Sequence, residues 1–139
     1  MDLWPSLISL AGVVIGWFLV HQLAVYRERN AEWRHLAHST ANEIETIEDL
    51  ALRYHKNVER DLELEEDIIK RLDRVEIKIL ILSRHLESIN PRCLLPFHKA
   101  ITLKNFLTNR HTSHGADTGV YKEIIAATST VLEELYSAH

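Results

Sequence analysis

The chain is poor in residues that punctuate or staple a fold: its 139 positions hold one cysteine, three prolines and four glycines. The lone Cys93 excludes an intramolecular disulfide and every Cys-rich zinc pattern, and it suits a domain facing a reducing compartment. Scarce turn-formers argue against a β-rich fold, the more so because Gly12 and Gly16 sit inside an apolar run. No Walker loop, nucleophile elbow or His-Glu-x-x-His motif is present, so neither an enzyme activity nor a cofactor is expected. The net charge of −4 gives no global basic excess, and DNA is not an expected partner. The most informative absence is local. From Leu3 to Tyr26, LWPSLISLAGVVIGWFLVHQLAVY, there is no Lys, Arg, Asp or Glu.

What is there instead is a membrane helix. These 24 residues make about 36 Å of helix, enough to cross a hydrocarbon core of roughly 30 Å with some tilt. Trp4 and Tyr26 stand at the two ends, where amphipathic rings settle at headgroup level. A cleaved signal peptide needs a basic start and a small-residue cleavage site, but Asp2 precedes the run and bulky residues follow it. Arg27, Arg29 and Arg34 flank only the C-terminal side. The positive-inside bias therefore predicts a short periplasmic N-terminus at 1–4, a transmembrane helix at 5–26 and a cytoplasmic helical domain at 27–139 of a bacterial inner-membrane protein. Ser9, Gly12 and Gly16 recur at spacings of three and four, a stripe where a second membrane helix can approach. His21, on the opposite side of the helix, reads either as a pore-lining group of an oligomer or as a side chain reaching the inner headgroups.

Beyond the span the pattern is all-α. Ala37, Thr40, Ile44, Ile47, Ala51, Tyr54 and Val58 form one heptad seam, and Ile68, Leu72, Val75, Ile79, Leu82, Leu86 and Ile89 form another. The two stay in phase only if Asp61 and Glu65 occupy the seam, where each buried carboxylate would cost several kcal/mol unless neutralised. A turn around Asn57 to Asp61 is therefore expected, with the acids after it at the start of a new helix. Thr40-x-x-Glu43 reads as a capping box marking another joint, although the same residues fit an uninterrupted helix. Asn90-Pro91 should end the second helix, Pro96 to Asn109 should form a third, and 109–118 should be a loop. Asp117 or Thr118 would cap a last helix with the stripe Val120, Ile124, Ala127, Val131 and Leu135. Together these give a helical bundle, expected to be a homo-oligomer through its heptad faces.

Charge is uneven: residues 43–90 carry thirteen acids and eight bases, whereas 91–122 carry Arg92, Lys99, Lys104, Arg110 and Lys122 against Asp117 alone. On a helix from Pro96, Lys99, Leu103, Phe106 and Arg110 fall within about 60° of one another, beside a stripe of His98, Thr102, Asn105 and Asn109. An aromatic ring between cations, next to amides, suits a nucleotide. Arg92, Lys99, Thr102, Asn105, Phe106, Arg110, His111 and Lys122 are thus the candidate ligand-binding set. A basic helix answering the acidic helix of its own bundle, or facing anionic lipid, accounts for the same residues.

Three further patterns bear on chemistry. Arg29 and His35 resemble the Arg-x(4–6)-His motif of HEPN ribonucleases, which would imply action at a 2′-hydroxyl. Glu32-x-x-His35, with His38 on the same face, resembles half of a di-iron carboxylate site, but no second Glu-x-x-His exists to complete it. His111-x-x-His114 lacks further ligands and reads as a solvated loop, so no metal is expected. Cys93 beside Arg92 reads either as an activated thiol or as an inert half-buried one.

Gly16-Trp17-Phe18-Leu19, Arg27-Glu28-Arg29 and Asn42-Glu43-Ile44 resemble segments of small bacterial and prophage-borne membrane-anchored proteins. At the level of architecture the chain is similar to the cyclic-oligoadenylate-gated membrane effectors of type III CRISPR anti-phage defence. That resemblance implies an oligomeric, non-enzymatic effector whose cytoplasmic domain binds a cyclic nucleotide and perturbs membrane lipid. The alternatives are a membrane-anchored scaffold recruiting a soluble partner through heptad faces, and a membrane-tethered HEPN-like ribonuclease.

Overall fold

The computed structural model describes residues 4–103, 106, 111–113 and 118–137, with side chains from Ser9 onward. Among these the chain is all-helical: α1 (Trp4–Lys56), α2 (Leu62–His85), a 3-10 turn (Pro91–Cys93), α3 (Leu94–Thr102) and α4 (Gly119–Tyr136). The chain divides into two compact units, Met1–Trp33 and Arg34–His139.

The first unit is the N-terminal part of α1, long and apolar enough to cross a membrane. Ten of its large apolar side chains from Leu10 to Tyr26 are each 54% to 69% exposed, and Val25 is half-buried. At 100° per residue, Leu10, Val14, Phe18, Leu19, Leu23 and Val20 point in every direction around the axis. A helix apolar on one side only would be packing against something in its own chain, and this one is apolar all round with nothing covering it.

The second unit is built on the seam expected from the sequence. Ala37, Thr40, Ile44, Ile47, Ala51 and Tyr54 are buried, as are Ile68, Leu72, Val75, Ile79, Leu82 and Ile89. Val58 departs from it at 82% exposure, because α1 stops at Lys56 and the chain turns. The turn resolves the two seam carboxylates differently. Asp61 leaves the seam and becomes the N-cap of α2, its Oδ1 accepting from the Leu64 N–H at 3.0 Å. Glu65 stays on the seam, buried to 3% exposure. It is neutralised by Arg60, whose Nε and terminal nitrogen each donate at 2.8 Å.

Tyr54 meets Glu65 and Glu43 meets Lys78, so α2 runs antiparallel to this part of α1. The Tyr121 hydroxyl donates to the Leu52 carbonyl, and the His38 ring lies near that of Tyr136, so α4 is antiparallel to α1 as well. Val120, Ile124, Val131 and Leu135 are buried as the stripe required, joined by Tyr121 and Thr128, with Ala127 half-buried. Short α3 contributes Phe97 and Ile101, and the His55 Nε2–H donates to the Ile101 carbonyl at 2.9 Å.

Three boundaries differ from the sequence reading. The capping box at Thr40 does not form: α1 is helical throughout 36–41, the Thr40 hydroxyl donates to the Leu36 carbonyl four residues back, and Glu43 is spent on Lys78. Helix α2 ends at His85, well before Asn90-Pro91, with Leu86 extended and its N–H on the Leu82 carbonyl. Asn90 instead caps the 3-10 turn, its Oδ1 accepting from Arg92 N–H. The third helix starts at Leu94 and ends at Thr102, short of Asn109.

Candidate functional site

The bundle has a polar corner and an apolar groove, and they lie at different places. The first is the corner where α1 turns into α2. Here the Tyr54 hydroxyl donates to Glu65 at 2.8 Å, and the Tyr54 ring packs against Phe106 at 4.6 Å and edge-on to His55 and His111. Burial, and then the hydrogen bond to Glu65, push the Tyr54 phenol up to about 12, so it is a proton donor and not a phenolate near neutral pH. Glu65 in turn holds the Arg60 guanidinium even more firmly protonated. The Asn57 carbonyl accepts from the His111 Nε2–H and the Lys56 carbonyl accepts from the Ser113 hydroxyl, so this segment caps the last turn of α1. Among the described residues, the Glu65 carboxylate accepts from the Tyr54 hydroxyl and from two nitrogens of Arg60. At the same turn an open polar groove of about 630 Å³ is lined by residues 57–63, Arg60 and Asp61 among them.

The candidate ligand-binding residues are placed as follows. Phe106 is 6% exposed and packs on Tyr54 in the core, and α3 ends at Thr102. His111 is used as the cap of α1. The Thr102 hydroxyl donates to the His98 carbonyl of its own helix. Lys99 lies in a shallow groove between α3 and α4 that Glu123 also lines, while Arg92 lies in a different groove, and Lys122 is exposed on α4. Asn105 and Arg110 fall outside the described residues. Each of these two grooves is lined by one member of the set.

The other motifs are placed as follows. Arg29 is exposed in the first unit, and His35 and His38 are exposed in the second. Among the described residues no three His, Cys, Asp or Glu side chains cluster as metal ligands. Cys93 is half-buried, and burial together with the Glu134 carboxylate raises its thiol, the opposite of activation by Arg92. A Cβ added at Gly12 or Gly16 would meet nothing, so the Ser9-Gly12-Gly16 stripe is open.

The second feature is a groove of about 420 Å³ between α2 and the 3-10 turn leading into α3. Leu72, Ile79, Leu80, Leu94 and Leu95 line it, and Glu76, Arg92 and His98 supply its polar groups. Leu80 is 44% exposed and Leu95 73%, and Ile77 and Ile81 extend the same apolar surface along α2. The periodicity that placed Ile79 and Leu82 in the core also places Ile77 and Leu80 outside it. The exposed pair is therefore a signal legible in the periodicity of α2. Comparison with family models, curated proteins and solved structures finds no match.

Proposed function

We propose that the protein is a non-enzymatic, membrane-anchored adaptor: α1 crosses a bacterial inner membrane once, and the bundle displays the α2–α3 groove to a soluble partner in the cytoplasm. The observation that carries this reading is the apolar sleeve from Leu10 to Tyr26, exposed on every side of α1, beside a bundle that closes its own core. Lipid is the environment that solvates such a sleeve without a partner chain. The arginines at 27, 29 and 34 put the bundle on the cytoplasmic side. The partner contact is assigned to the outer face of α2 and not to the heptad seams, because both seams are consumed in the bundle core.

The nucleotide-gated effector reading keeps its cations, but its stacking ring is in the core and Arg92 and Lys99 sit in separate grooves. The adaptor reading therefore stands ahead of it. The test is fractionation of cells making the full chain or a version lacking residues 1–26. The full chain should stay in the membrane pellet through alkaline carbonate, and the shortened chain should move to the soluble fraction. A full chain that carbonate releases defeats the anchor.

A further inference from the structure

The α2–α3 groove is polarised along its length. The Ile101 carbonyl meets His55, which lies against Tyr54, and Tyr54 meets Glu65 in the first turn of α2. The end of α3 is thus at the start of α2, so α3 returns antiparallel along it, and Arg92 shares the groove with Glu76, Ile79 and Leu80 at the middle of α2. Along the outer face of α2, Asp73, Ile77, Leu80 and Arg84 recur at spacings of four, three and four, a second heptad stripe behind the buried one. Asp73 and Glu76 mark one end of this stripe, and Arg84 marks the other. Among the described residues, the side chains of Asp73, Glu76, Arg84 and Arg92 make no ion pair, whereas Arg71 and Lys70 on the same helix do.

We infer that this face docks one amphipathic helix of a soluble partner, about three turns long, with aliphatic anchors at i, i+3 or i+4 and i+7, an acidic first turn and a basic last turn. The proposal deepens the adaptor reading and rests on it. An aliphatic ridge flanked by a groove is the geometry that receives such anchors. The charge order then fixes the direction. From Asp73 to Arg84 is about 16 Å along the helix. Helices favour acids at their N-terminus and bases at their C-terminus. A helix of that common kind meets Arg84 with its first turn, and Asp73 and Glu76 with its last, only when it runs antiparallel to α2. The reverse direction sets like charges against each other at both ends.

The experiment uses the full chain in lipid nanodiscs and two capped synthetic peptides of about four turns with the same leucine stripe. One peptide is acid-first and basic-last; the other has the charges exchanged. Fluorescence anisotropy should show the acid-first peptide binding about tenfold more tightly at low salt, an advantage that shrinks as salt is raised. Leu80→Asp and Leu95→Asp should each weaken it about tenfold or more while leaving the melting curve in place, since both side chains are exposed. Exchanging the protein's own charges, Asp73→Lys with Arg84→Glu, should reverse the preference. Equal binding of the two peptides, no loss with Leu80→Asp, or no binding at all overturns the proposal. So does a second copy on this face, seen as self-association that Leu80→Asp abolishes. A chain that fails to enter nanodiscs sinks the anchor instead, and the peptide titration on that lipid-free chain still decides the docking.

Discussion

The α1–α2 corner makes the sharpest claim about what holds the bundle closed, and Tyr54→Phe isolates one bond of it. The substitution removes a hydroxyl and keeps the ring that packs on Phe106 and His55. What is lost is one 2.8 Å hydrogen bond to the buried Glu65 carboxylate, and such bonds to charged acceptors contribute about 1.5–3 kcal/mol. Glu65 keeps both contacts to Arg60, so a value near the middle, about 2 kcal/mol, is expected. For a unit of this size that is a fall in melting temperature of roughly 8–16 °C. Far-UV circular dichroism of the full chain in detergent reads it, with the Glu65→Gln single variant and the double variant completing a cycle.

The same bond has an alkaline signature. A phenol whose folded value lies near 12 against an ordinary 10 holds its proton more tightly in the fold. Its stabilisation is complete below pH 10 and is lost as pH climbs from 10 toward 12. That limb should vanish in Tyr54→Phe. A Phe variant as stable as the parent at neutral pH, or one with the parental alkaline limb intact, refutes the reading of the corner.

Other predictions concern the two faces of the bundle and its thiol. Ile47→Ala, at a position with no exposure, should destabilise by about 2–5 kcal/mol, whereas Ile77→Asp on the outer face should change stability by no more than about 0.5 kcal/mol. Urea titrations of the two variants check the contrast. Breaking the cross-helix pair with Lys78→Ala should cost less than about 1 kcal/mol, because the lysine side chain is partly exposed. Cys93 should react with iodoacetamide more slowly than a free thiol at neutral pH, and Glu134→Gln should speed it, since the carboxylate is part of what raises the thiol.

Much of this fold is legible in the sequence because apolar periodicity is a local property. The seams at Ala37 to Tyr54 and Ile68 to Ile89, and the stripe from Val120 to Leu135, are buried almost residue for residue. Even the turn between the first two follows from the cost of burying Asp61 and Glu65 together. What periodicity does not convey is which carboxylate finds a partner. Arg60, in the turn itself, folds back on Glu65, and that pairing lets a charge remain in the core. The place of Phe106 is hidden for a related reason: a wheel drawn through Lys99, Phe106 and Arg110 presumes a helix that continues past Thr102, where α3 ends, and the Phe106 ring is in the core. The groove lies between two elements, and its existence depends on how α3 returns along α2, which no single stretch of sequence encodes.

The claim on which the account depends is that the sleeve around α1 is solvated by lipid on all sides. Spin labels at Val14→Cys, Leu19→Cys and Val20→Cys, each in a Cys93→Ser chain reconstituted into vesicles, test it by accessibility to oxygen and to a water-soluble nickel chelate. All three labels, which face different directions around the axis, should collide readily with oxygen and scarcely with the chelate. A label at any of these sites that the chelate reaches, as it would reach a residue in water, contradicts the membrane helix.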